Sequence, residues 1–230
     1  MDYQIREGVK GVRLELRGAS VKIGRSGSRA LRINVSGGND SSIRAIPHDG
    51  KINIKYISDT GADIRISLPE NLREIEIIKE SGSLRAEKLE LDSLSVNSGG
   101  DIELSEVTVS RSCNLSTDGS SIRLISCDIS SMSVQISGGE LETDGTVLHG
   151  NNTAYVMGST VRGTLRGALA EYVISAGSGV SADEVIVNEH RLSEFPDRRN
   201  VQNCAWLLIA GSLKETARLK ISKPRYINGY

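Results

Sequence analysis

Asn97-Ser98-Gly99-Gly100-Asp101-Ile102-Glu103-Leu104 is the stretch that decides the fold, because its parts return along the chain. Ile136-Ser137-Gly138-Gly139-Glu140-Leu141 repeats it closely. A Gly-x-x-apolar step recurs at Gly99, Gly119, Gly138, Gly158 and Gly177, at nearly even spacing. Ile102, Ile122, Leu141, Val161 and Val180 are the apolar members of these steps. Gly82 joins the series on its N-terminal side, with Leu84 as its apolar partner. Further into the units come apolar pairs: Leu89/Leu91, Val107/Val109, Cys127/Ile129 and Val185/Val187. Ile78, Leu115, Val134, Ala154 and Val173 precede the glycines as a third apolar set. Each unit therefore holds about three short runs of period 2 separated by turns.

A unit this short cannot bury its own apolar side. Stacked on its neighbours at about 4.8 Å per rung, it encloses a continuous core. A glycine at each corner supplies a backbone conformation that a side chain resists, and the Ser, Asn and Asp beside it make local turns. The pattern predicts an all-β, single-stranded parallel β-helix, a right-handed β-solenoid with rungs of about 19 residues. No helical period lies between the strands, which excludes a Rossmann-type βαβ arrangement. Thr143 and Gly163 stand where neighbouring rungs have Leu104 and Leu124, so the core is expected to thin there.

Working outward, Ile209-Ala210-Gly211-Ser212-Leu213 revives the step, and Leu219 and Ile221 follow at the expected offsets. The interval from Gly177 to Gly211 is clearly longer than one rung, and the excess is assigned to an inserted loop over 189–205. Towards the N-terminus, Val12–Leu16, Leu31–Val35, Ile52–Ile54 and Ile64–Leu68 alternate as strands, with glycines at 18, 37 and 61 spaced less evenly. The whole chain reads as one solenoid domain, 1–230. Residues 1–70 form irregular rungs and a cap, 71–188 the regular rungs, 189–205 the loop, and 206–230 the last rung and C-terminal cap. A separate small β-sandwich is the alternative for the first part.

Composition bounds the function. Aromatic residues are 3% of the 230, which leaves no stacking platform for single-stranded nucleic acid. Net charge is −1, so no global field draws the chain to polyanions. Locally, residues 1–35 carry eight Lys/Arg against three Asp/Glu, 74–146 five against fourteen, and 191–230 eight against three. Two basic ends thus flank an acidic middle. Cys113, Cys127 and Cys204 are odd in number and lack C-x-x-C spacing, so neither a disulfide framework nor a zinc site is expected. No signal-type apolar segment or membrane-length span is visible, which points to a cytoplasmic protein with a surface location left open.

At this stage the motifs carry a resemblance. Gly61-Ala62-Asp63-Ile64-Arg65-Ile66-Ser67-Leu68-Pro69, then Ile75-Glu76-Ile77, Glu80-Ser81-Gly82-Ser83-Leu84 and the two Ser-Gly-Gly stretches quoted above follow one another in order. This resembles the putative-adhesin family of bacterial and archaeal β-solenoid domains of unknown function, marked by Ser-Gly-Gly-Asp-Ile corners. The resemblance covers about residues 10–190. It implies a β-helix with surface or scaffold roles and brings no catalytic residue with it.

Chemistry is sparse in the sequence. Glu140/Glu142 and Asp101/Glu103 point the same way on their strands and could form an acidic ladder, as β-helix lyases and glycosidases use. His48, His149 and His190 share no metal-ligand spacing. Gly177-Ser178-Gly179-Val180-Ser181-Ala182 matches a dinucleotide fingerprint but precedes a strand, so it reads as a rung corner. The loop offers His190, Arg191, Phe195, Arg198, Arg199 and, just after it, Trp206 as a partner surface, or else as an end cap. Gly82, Gly99, Gly119, Gly138, Gly158, Gly177 and Gly211 are read as structural corners. The expectation is a non-enzymatic interaction or scaffold protein, adhesin-like, without cofactor or metal. Its partner would be a protein or glycan and not nucleic acid, and a homo-oligomer stays open. The alternatives are a carbohydrate-binding or carbohydrate-active β-helix using the acidic rungs, and a self-assembling filament.

Overall fold

The computed structural model describes residues 2–4, 9–27, 29–37, 43–48, 50–168, 171–195 and 204–222, with the side chains of 2–4 and 58–60 excepted. Alternating apolar residues make almost all of them strands, joined into one sheet. In the middle the sequence period is the stacking period. β6 (Glu74–Lys79), β8 (Glu90–Ser98), β10 (Thr108–Asp118), β13 (Met132–Ser137) and β15 (Asn151–Arg166) lie side by side, all parallel. They form a first wall, called face A. β7 (Leu84–Glu87), β9 (Ile102–Ser105), β11 (Ile122–Ile125), the start of β14 (Glu140–His149) and the second half of β15 form face B in the same way. A short face C joins the starts of β8 and β10, β12 (Asp128–Ser130) and the end of β14.

The inward side chains meet in one bore. Leu94, Cys113 and Met132 stack from face A, Ile102, Ile122 and Leu141 from face B, and Leu91, Val109, Ile129 and Leu148 from face C, all buried. Each contributes up to about 1.5–3 kcal/mol, set against the cost of ordering its rung. Thr143 and Gly163 do thin the bore. Thr143 is buried with its hydroxyl unpartnered, and a Cβ on Gly163 would lie 1.9 Å from the Thr143 carbonyl oxygen, so the two backbones close on each other.

At both ends the stacking order departs from chain order. β2 (Gly11–Arg25) does not start the column: it lies between β5 (Lys51–Leu68) and the β6–β7 rung, parallel to both. β5 is the outer rung. β3 (Ala30–Ser36) and β4 (Ile43–His48) pair with it antiparallel, and β1 (Asp2–Gln4) pairs antiparallel with β3. At the other end β19 (Ala205–Leu213) and β20 (Ala217–Ser222) insert between β15 and the rung made by β16 (Tyr172–Ala176) and β17 (Val185–Val187). The long interval before Gly211 therefore has a topological cause. The chain travels out to the last rung and returns to fill the one before it. The sheet is mixed, so the expected all-parallel helix with rungs in sequence order is corrected at both ends. What holds is an all-β, solenoid-like fold.

Two smaller expectations also change. Gly119, Gly138 and Gly158 share one corner with positive φ of 70°, 68° and 57°. Gly99, Gly177 and Gly211 stand elsewhere. Gly99 is set by close approach, since its Cβ would lie 2.1 Å from the Glu80 carbonyl oxygen. Gly177 packs on Leu208 and Ala210, and Gly211 sits within β19 opposite Val156. Ile78, expected inside, is exposed, because Ile75 and Ile77 point inward and period 2 then turns Lys79 into the bore. Lys79 Nζ donates to the Ser81 carbonyl, and burial pushes its pKa down to about 8.

Candidate functional site

The three faces differ in what they present to solvent. On face A, Ser95, Asn114, Ser133 and Thr153 stand in register on successive rungs, and Asn97, Ser116, Gln135 and Tyr155 form a parallel column beside them. Neighbouring rungs lie about 4.8 Å apart, and alternate residues on one strand about 6.6 Å apart. The result is a lattice of hydroxyl and amide groups with no charge. None of these side chains has a hydrogen bond or ion pair to the described residues. At its C-terminal border the lattice turns apolar, where Tyr155, Met157 and Leu208 are 44%, 49% and 37% exposed.

Face B is the opposite case. Its outward column runs Arg65, Lys22, Arg85, Glu103, Arg123, Glu142, Arg162, Arg218 through successive ladder pairs. From Arg85 to Arg162 the signs alternate and the charges answer one another. Arg85 Nε lies 3.2 Å from Glu103, Arg123 Nη2 lies 2.7 Å from Glu142, Lys22 Nζ lies 2.7 Å from Glu87, and Arg162 contacts Glu140. The hydrogen bond to Glu142 raises the pKa of the Arg123 guanidinium, and the bond from Lys22 lowers that of the Glu87 carboxyl. The acidic ladder expected at Glu140/Glu142 and Asp101/Glu103 is thus taken up inside the protein, with Asp101 accepting from the Ser121 amide at 2.9 Å. On face C, His149 Nε2 lies 2.9 Å from Asp128. Among the described residues no group of three His, Cys, Asp or Glu could hold a metal ion. Cys113 and Cys127 are buried in the bore, and burial pushes the Cys113 thiol up to about 12.

The proposed loop residues are divided. His190 and Arg191 form β18 (His190–Arg191), antiparallel to β17. The His190 ring meets Phe195 edge-on at 6.2 Å and lies 3.5 Å from Glu194. Phe195 packs on the core beyond the last rung. Trp206 belongs to β19, opposite Asn151 on one side and Val173 on the other. Arg198 and Arg199 lie outside the described residues. The fingerprint at Gly177–Ala182 ends in a capped turn: Ser181 accepts from the Asp183 amide, Glu184 accepts from the Ser181 amide, and β17 follows. A shallow cleft beside the N-terminal corner is lined by Gly18, Ser20, Ser36, Gly61, Asp63 and Gly82, with Asp63 as its one charged group.

The reading of the sequence missed the face A lattice. Its signal was present, since Ser95, Asn114, Ser133 and Thr153 recur at the interval of the glycine corners, out of phase with the apolar positions. It also missed a second corner column, Lys88, Glu106 and Ser126, at φ of 52°, 54° and 50°. No glycine marks those positions.

The sequence profile of the family described as Toastrack DUF4097 matches residues 10–179. That family is a domain of unknown function, with nothing specific assigned. A "putative cell adhesion protein" from Clostridium sporogenes ATCC 15579 is among the similar solved structures. It is 12% identical, with 97% of this chain and 98% of that one covered and a TM-score of 0.35. No curated protein matches the chain. Among the described residues no helix is long and apolar enough to cross a membrane.

Proposed function

The chain belongs to the Toastrack DUF4097 family, and from that premise we propose that it is a non-enzymatic, adhesin-like binding scaffold whose contact surface is face A. One observation carries this reading. The two polar columns of face A from Ser95 to Thr153 and from Asn97 to Tyr155 have no hydrogen bond or ion pair among the described residues, while the charges of face B from Arg85 to Arg162 are ion-paired. A binding surface must offer groups that are not already engaged, and a repeated lattice offers many weak contacts in fixed geometry. In this reading residues 1–230 act as one domain, wound right-handed, with no cofactor. A single apolar cluster extending from Val12 to Ile221 supports the one-domain part, and the strong handedness of parallel crossovers supports the winding.

The test is a photoreactive residue placed at Gln135 on face A or at Arg123 on face B, exposed to fractionated cell material. Adducts formed at Gln135 and not at Arg123 are expected. Adducts at neither position, or equally at both, would end the assignment to face A.

A further inference from the structure

Resting on that reading, we propose that face A binds a neutral polysaccharide laid across the rungs between Ser95 and Thr153. The lattice is marked first by what it lacks. Its two columns carry no charge over four successive rungs, although on face B beside it the column Arg85, Glu103, Arg123, Glu142 is charged at each step. A phosphate polymer needs cations, and an acidic glycan needs them too. A protein partner needs an apolar centre, and serine is depleted in such interfaces. On face A the apolar residues Tyr155, Met157 and Leu208 lie at the border, not the centre. Uncharged polyols remain. Hydroxyl and carboxamide groups both donate and accept, as sugar hydroxyls do, so each lattice point can pair with a hydroxyl in either sense.

Geometry adds to the charge argument. Asn97, Asn114 and Gln135 offer carboxamides on consecutive rungs, and the strands beneath them are held on both sides by parallel ladders. The array is ordered before a ligand arrives, which lowers the entropy lost on binding. Tyr155, 44% exposed, closes the lattice with a ring on which the apolar face of a sugar can rest. The backbone bonds of the wall are internal, so only side chains are available to the ligand.

Retention of the full chain on insoluble cellulose and chitin tests this, together with affinity electrophoresis in soluble neutral β-glucan and in polygalacturonate. Binding to at least one neutral polymer is expected, with none to polygalacturonate and little change on adding salt. Asn114→Asp with Gln135→Glu keeps size and adds charge, and it should weaken retention by about tenfold or more, equivalent to roughly 1.4 kcal/mol. Tyr155→Ala should weaken it as well, and Arg123→Gln on face B should not. The thermal midpoints of these variants should match the parent, since the positions are exposed. Absence of binding to every neutral polymer, or undiminished binding by the double variant, overturns the proposal. If those results coincide with polypeptide adducts at Gln135, the scaffold reading survives and only the ligand class falls.

Discussion

In the middle of the column each rung lies beside its neighbours in sequence, and at the two ends it does not. From β6 to β15 the chain climbs one rung per repeat. At the N-terminus β2 is held between β5 and β6, and at the C-terminus β19 and β20 are held between β15 and the β16–β17 rung. The difference shows how an open-ended stack can protect its ends. A strand placed outermost would have one paired edge only, so it would fray at little cost. Placed second from the end, the same segment has two paired edges. The rung outside it is tethered by chain in both directions.

The sharpest way to break this comparison is to remove one intercalated segment. A chain ending at Cys204 lacks β19 and β20, hence the buried Leu207, Ile209, Ala217, Leu219 and Ile221, and it leaves β15 paired along one edge only, by β13 and β14, and takes from β16 its paired strand. The loss should reach about 5 kcal/mol or more, beyond ordinary point substitutions. A synthetic peptide spanning Ala205–Ser222 should bind the truncated chain and restore part of its thermal midpoint. A midpoint lowered by less than about 2 °C would mean that the inserted rung contributes little, and the account of the ends would be wrong.

These ends also mark where the sequence stops being legible. Period and register were readable because each rung repeats its apolar positions: Ile102, Ile122 and Leu141 do pair as the spacing required. The identity of each rung's neighbour was not readable, because every rung uses the same Val, Ile and Leu at the same period and so fits beside any other. Only the long interval from Gly177 to Gly211 hinted at the return of the chain, and an inserted loop explains it equally well from sequence. The candidate site was half legible. Serine and asparagine on the solvent side were visible as composition, but whether a polar side chain is engaged by its neighbour depends on cross-rung partners. Glu142 and Gln135 occupy similar outward positions, and only the first meets an arginine.

The boundary between the regular middle and the N-terminal end carries the next test. Lys79 lies inward opposite Leu16 of β2 and Ser98 of β8, where other rungs place apolar or small polar residues. Its pKa, lowered to about 8 by burial, lies below the ordinary 10.5, so the folded state holds fewer protons than the unfolded state between those values. Stability must therefore rise with pH across that window, by up to about 3 kcal/mol. Lys79→Met removes the ionisable group and should flatten the rise while stabilising the protein at pH 7. Urea midpoints at pH 7 and pH 10 measure both effects. An unchanged pH dependence in the variant would place the titrating group elsewhere.

The smallest expected effect separates two reasons for a tight corner within the regular middle. Lys88, Glu106 and Ser126 hold left-handed conformations that L side chains adopt at a cost, and Gly145 turns the same corner on the next rung at φ 62°. A Cβ on Gly145 would come no nearer than 3.8 Å to Ser126 Oγ, so there is room for it and only the backbone preference opposes it. Gly100 is the reverse case. Its φ is not in the left-handed range, yet its Cβ would lie 1.8 Å from the Gly82 carbonyl oxygen on the adjoining rung. Gly145→Ala should therefore cost about 1 kcal/mol, and Glu106→Gly should gain about 0.5–1 kcal/mol, raising the thermal midpoint by about 1–4 °C. Gly100→Ala must push two rungs apart and should cost well beyond either. If Gly100→Ala and Gly145→Ala proved equally mild, the rungs would be yielding enough to absorb a methyl group, and the rigidity on which the face A lattice depends would be lost with them.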